Sequence, residues 1–174
     1  QDQDVHTDEL ILTHGATEGL TALLAALISP GDEVLILAPY WPLVAGSVRL
    51  FGGIAQIVPF FLENYTLEEA LQILDQAWSP KTKAIYLNTP NNPTGRVLEA
   101  SWVEALVRWA EERGIWLISD EVYDLYSYTH PHTYARPFSS TSVISAFSLS
   151  KAFGMAGYRC GFLQGPPDVI DAVE

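Results

Sequence analysis

The chain has 174 residues, 48% hydrophobic and 17% charged, which fits one folded domain and excludes a disordered tail. Nine Lys and Arg against 21 Asp and Glu give a net charge of −12, which argues against nucleic-acid and anionic-membrane partners, because both reward positive stripes. One cysteine, Cys160, cannot close an internal disulfide, and the longest apolar run, Ala22–Ile28, falls far below the ~20 residues of a membrane span; with no basic-then-apolar leader at the start, the expectation is a soluble, cytoplasmic protein.

In chain order, Leu10–Thr13 reads as a short strand, followed by Thr13-His14-Gly15-Ala16-Thr17 and an Ala/Leu-rich helix over Thr17–Ser29 that stops at Pro30-Gly31. Val34–Ala38 is a second strand, followed by Tyr40 and Trp41, and Ile54–Phe60 is a third. Leu67, Leu71 and Leu74 recur at helical spacing. Ala84–Asn88 is a fourth strand, leading into the turn-rich Thr89-Pro90-Asn91-Asn92-Pro93-Thr94-Gly95. Ser101–Arg113 places Val103, Leu106, Val107 and Ala110 on one stripe, with Ser101 as the expected cap and Gly114 as the stop. Ile115–Asp120, Val143–Phe147 and Cys160–Leu163 complete the strands, and Pro167–Glu174 opens another helix.

Most of these strands are continuously apolar, as in a parallel sheet covered on both faces. The alternation with helices predicts an α/β fold, a three-layer αβα sandwich around a mostly parallel seven-stranded sheet. Only about a dozen residues separate the last two strands, short for a parallel crossover. The last strand is therefore expected to run antiparallel. The pattern starts near residue 1 and breaks off inside a helix, as expected of one domain taken from a longer chain.

Ligands of open α/β sheets bind outside the carboxyl ends of the strands, and five strand ends here carry polar or aromatic residues. Gly15, Ala16 and Thr17 open a helix whose free N–H groups could hold a phosphate, helped by Ser148 and Arg159. Lys151 follows a buried strand, and a partly desolvated lysine can form a Schiff base with a carbonyl. Asp120 ends the apolar run Ile115-Trp116-Leu117-Ile118, where an unpaired carboxylate would be costly, so a cationic partner is implied. Trp41 offers a flat ring for stacking. An aldehyde, a basic ring nitrogen, a phosphate and a flat ring together describe pyridoxal 5′-phosphate.

At these residues the chain resembles the class I/II aminotransferases of fold type I. The resemblance runs from about Leu10 to Val173 and is carried by Gly15-Ala16-Thr17, Pro30-Gly31-Asp32-Glu33-Val34, Asn91-Asn92-Pro93-Thr94-Gly95, Ser119-Asp120-Glu121-Val122-Tyr123 and Ser148-Leu149-Ser150-Lys151-Ala152-Phe153-Gly154-Met155 with Arg159. It implies a large domain with a mixed seven-stranded sheet, acting in a homodimer on an amino acid and a 2-oxo acid. Catalysis would fall to Lys151, which forms the Schiff base and moves the substrate proton, with Asp120 at the pyridine nitrogen and Tyr123, with Asn92, at the ring hydroxyl. Gly15, Ala16, Thr17, Ser148, Arg159 and, more weakly, Ser150 would hold the phosphate. Trp41 would stack on the ring, and Asn92 and Trp41 would face the substrate. A C–S β-lyase or related synthase on the same fold, or a sensor domain of a transcription regulator, are the alternatives. In the family, the arginine for the substrate carboxylate lies in a C-terminal small domain, outside these residues.

His130-Pro131-His132 reads as a solvated loop and not a metal site, His14 as a packing residue beside the phosphate turn with tuning of the site as the alternative, and Trp78, Trp102, Trp109 and Trp116 as core or helix-face residues.

Overall fold

The computed structural model describes residues 5–61, 65–128 and 130–174. Among these residues seven strands form one sheet: β1 (Leu10–Thr13), β2 (Glu33–Ala38), β3 (Ile54–Pro59), β4 (Thr82–Asn88), β5 (Trp116–Asp120), β6 (Val143–Ser148) and β7 (Gly161–Gln164). Their spatial order is β1-β7-β6-β5-β4-β2-β3. Neighbours from β3 across to β6 pair in parallel, and β7 is antiparallel to both β6 and β1. The expected αβα sheet with a reversed last strand is what forms.

Period-two alternation sorts the strand residues between two cores. Leu35, Leu37, Ile85, Leu87, Leu117 and Val143 pack beneath α3 (Leu67–Ala77) and α4 (Ala100–Glu112). Val34, Ile36, Ala84, Tyr86, Ile118, Ile144 and Ala146 face α1 (Ala16–Leu27), α2 (Pro42–Leu50) and α5 (Pro167–Val173). Burial on both faces explains why the central strands read as unbroken apolar runs. The edge strands β1 and β3 are more open, with Leu12 81% and Ile57 42% exposed.

Local chemistry sets the helix starts. Thr66 caps α3 by accepting from the Glu69 N–H at 3.2 Å, while the Glu69 carboxylate accepts from the Thr66 N–H at 2.7 Å. Two expectations need correction. Helix α4 starts a residue before Ser101, with Glu99 at the cap position and no side-chain cap bond, because extended backbone at Glu99 already turns the chain into the helix. Helix α2 was not foreseen: Pro42 at its first position favours a start, but Gly46 dilutes the pattern. Among the described residues no helix is long and apolar enough to cross a membrane.

The topology aims six strands at one edge. Asn88 pairs with Asp120, and Ser148 pairs with Gly161. Each lies two residues past an apolar residue of the α1 face (Tyr86, Ile118 and Ala146), so Asn88, Asp120 and Ser148 continue that face beyond the core. Reversed β7 enters where the others finish, which brings the preceding Arg159 to the same edge.

Candidate active site

Ala16, Thr17, Trp41, Asn92, Asp120, Tyr123, Ser148, Ser150, Lys151 and Arg159 line a single cleft at this edge, together with Leu20, Asn88, Val122 and Ala156. Gly15 is not in the lining. It stands just behind as the N-cap of α1, with φ +80°, and a Cβ there would lie 2.9 Å from the central guanidinium carbon of Arg159. Glycine is required twice over, for its backbone angle and for the arginine's approach.

Asp120 is 4% exposed. Its Oδ2 accepts from the Tyr86 hydroxyl at 2.5 Å and its Oδ1 from the Val122 N–H at 3.3 Å. No cationic side chain among the described residues pairs with it. Burial pushes its carboxyl up to about 6, against the pull of those two hydrogen bonds. A carboxylate so placed is complementary to a cation presented by a ligand.

Asn88 ties the ends of β4 and β5 to the next loop: its Nδ2 donates to the Asp120 carbonyl at 2.9 Å, and its Oδ1 accepts from the Asn92 N–H at 2.7 Å. Asn91 fixes the same loop from the other side, donating to the Pro39 carbonyl at 3.0 Å and accepting from Thr94 Oγ1 at 2.8 Å. Asn92 Nδ2 then stands 3.5 Å from the Tyr123 hydroxyl, and Lys151 Nζ lies 5.8 Å from the Tyr123 ring centre.

The candidate anion-binding corner is built on α1. Its first N–H groups have no partner within the helix, and Arg159 is held against them: Nη2 donates to the His14 carbonyl at 3.2 Å, and Nη1 to Ala156 O at 3.1 Å and Ser150 Oγ at 3.4 Å. Arg159 has left-handed backbone, φ +50°, a conformation that costs a non-glycine residue about 1–2 kcal/mol. Ser148 Oγ accepts from the Ser150 N–H at 3.1 Å. Gly161 lies beneath the corner, where a Cβ would come within 2.7 Å of the Ala16 nitrogen and 2.6 Å of the Phe147 carbonyl oxygen.

Several readings are corrected. Lys151 is exposed, not partly desolvated, because the loop over 149–159 forms the open rim of the cleft. His14 does not pack: its side chain is 85% exposed and pairs with Glu18 at 3.0 Å. His132 is no solvated residue either. Its side chain is 3% exposed, with Nε2 2.7 Å from Glu121 Oε2, and Glu121 Oε1 also accepts from Ser145 Oγ at 2.7 Å. A glutamate next to the strand-ending Asp120 must point to the opposite face, into the core, and that signal could have revealed its need for a partner. Trp109 is core, whereas Trp78 is 37% exposed. Sequence reasoning also missed Tyr86 and Gly161, which read as ordinary strand residues, and it gave Asn88 no role although this residue reads as part of the convergent polar strand ends.

Among the described residues no cluster of three His, Cys, Asp or Glu side chains could hold a metal. The arrangement combines an amine at the rim, a buried carboxylate seeking a cation, two hydrogen-bonding groups beside Lys151, an aromatic wall at Trp41 and an anion cradle.

The aspartate/prephenate aminotransferase of Thermus thermophilus is 36% identical over 169 residues, 97% of this chain and 44% of that protein. The aspartate aminotransferase of Thermotoga maritima is 35% identical, over 99% of this chain and 46% of that protein. The solved structure of the Thermus thermophilus aspartate aminotransferase with maleate superposes at a TM-score of 0.90 with 35% identity, covering 97% of this chain and 44% of that one. The chain thus spans less than half the length of these relatives. Residues 3–174 match the family described as aminotransferase class I and II, and the chain belongs to that family.

Proposed function

We propose that this chain is the cofactor-binding large domain of a pyridoxal-phosphate-dependent aminotransferase that moves an amino group between an amino acid and a 2-oxo acid. The observation that carries this reading is Asp120, a buried carboxylate with no cationic partner among the described residues, set at the back of a cleft that has Lys151 at its rim and a candidate anion cradle at one end. Those groups fit pyridoxal 5′-phosphate: a ring N–H for Asp120, a phosphate for the Ala16 and Thr17 amides, Ser148 and Arg159, and an aldehyde for Lys151. When bound, the cofactor supplies an electrophilic carbon and an electron-accepting ring.

The chain's own residues divide the remaining work. Asp120 would hold a proton on the ring nitrogen through a charge-assisted hydrogen bond. Asn92 and Tyr123 would donate to the ring hydroxyl oxygen, and Trp41 would cover the ring and exclude water there. The Lys151 amine, 5.8 Å from the Tyr123 ring centre, would take the proton from the substrate Cα and pass it to the cofactor. Relatives named as aspartate/prephenate and aspartate aminotransferases favour aspartate as the first donor to try.

An amino-acid panel assayed on the full-length protein tests the reading. Turnover that requires a 2-oxo acid acceptor is expected. Release of pyruvate and ammonia without an acceptor would mark a lyase instead.

A further inference from the structure

Tyr86, on β4, is a fully buried side chain, 1% exposed. It lies on the α1 face among Val34, Ile36, Ile118 and Ala146, where a phenylalanine would fill the same apolar space. Its hydroxyl would be costly to bury without a partner, and it donates to Asp120 Oδ2 at 2.5 Å. Burial, and next the Asp120 charge, push the Tyr86 phenol well above its ordinary value, so it stays protonated and acts only as a donor here.

The Val122 N–H occupies the other carboxylate oxygen, so both oxygens are anchored and the carboxylate cannot turn freely. Every protein group on it is a neutral donor. A lysine or arginine in Tyr86's place would also keep Asp120 ionised, but it would consume the charge that a ligand cation needs. A neutral phenol supports the charge and leaves it available.

We propose that Tyr86 is a positioning residue for the reaction: its hydroxyl keeps the Asp120 carboxylate ionised and fixed in orientation, ready to receive a ring N–H from the cleft. This inference rests on reading the cleft as a pyridoxal-phosphate site. Without the hydroxyl, Oδ2 loses its donor, the buried carboxyl takes up a proton more readily, and its preference for a protonated ring nitrogen weakens.

The test compares the affinity of the full-length protein for pyridoxal 5′-phosphate and for its 1-deaza analogue, which has carbon in place of the ring nitrogen. The wild type should prefer the natural cofactor. Tyr86→Phe should shrink that preference about tenfold, the scale of one hydrogen bond to a charged group, while leaving the deaza analogue's affinity unchanged. A merely structural role would weaken both ligands together, and an unchanged ratio would overturn the proposal. Should Tyr86→Phe fail to fold, 3-fluorotyrosine at position 86 keeps the shape and strengthens the donor; it should widen the preference, and a preference that narrows or stays put would overturn the proposal. Failure of the wild type to bind pyridoxal phosphate at all would overturn the functional reading and this inference with it.

Discussion

Asp120 shows how a candidate site residue taxes the fold that holds it. Burial pushes its carboxyl up to about 6 in the folded protein, against 3.8 for an exposed aspartate. The folded state therefore binds more protons than the unfolded state between those values, and stability attributable to this group rises as pH falls from about 7 to 4. A shift of that size is worth roughly 3 kcal/mol in total. In cofactor-free protein, Asp120→Asn should raise the melting temperature at pH 8 and have little effect at pH 4, a difference that paired thermal melts would read. The same substitution should leave pyridoxal phosphate bound while slowing substrate proton abstraction strongly, since nothing then holds the ring nitrogen protonated. Arg159→Ala should have the opposite profile. It removes a charge-assisted contact worth roughly 1.5–3 kcal/mol, so titration should show weaker cofactor affinity, with the rate at saturation much less affected.

At the level of elements, the reversal of β7 builds the anion corner, because it delivers Arg159 and Gly161 to the edge where β1 and β6 end. Gly161→Ala would press a methyl against the Ala16 nitrogen and the Phe147 carbonyl oxygen, forcing β7 or the start of α1 to shift. Overpacking of this kind costs about 1–3 kcal/mol, and the variant should lose both stability and affinity for pyridoxal phosphate in denaturation and binding assays. Gly157→Ala, with open space around it, is the matched control and should change stability little. These elements also mark what could be read from the sequence. The apolar runs located all seven strands, and the short last connection foretold the reversal, since both depend on local pattern and chain length. Residues at strand ends, such as Asp120 and Ser148, and Asn92 in the loop just after β4, were legible because polar groups there have nowhere to go but the cleft. Tyr86 and the Glu121–His132 pair were not. Their partners lie 34 and 11 residues away in the chain and meet only after the sheet has formed. The exposure of Lys151 was likewise hidden, because it depends on what covers the 149–159 loop and not on the strand before it.

On the scale of the molecule, the net charge of −12 repels an anionic ligand at long range, so binding must rely on the local donors around Arg159. The surface also carries large apolar side chains in the open, including Leu12 at 81%, Leu50 at 71%, Phe153 at 59% and Tyr158 at 79% exposure. Exposed apolar surface of this kind favours association. The 174 residues expressed alone should therefore self-associate in sedimentation or light scattering, bind pyridoxal phosphate weakly and show no appreciable transamination. Several kcal/mol of a reaction barrier can depend on holding the substrate in place, and in the family that clamp lies outside the large domain. Turnover equal to that of the full-length protein would contradict this.

The central claim is that Lys151 is the group that joins the cofactor covalently. Full-length protein loaded with pyridoxal phosphate, reduced with borohydride and digested, can be mapped by mass spectrometry for the modified lysine. The account predicts the label on the peptide carrying Lys151 and its loss in Lys151→Ala. A label on Lys81 or Lys83, or one that persists in the Lys151→Ala protein, would contradict it.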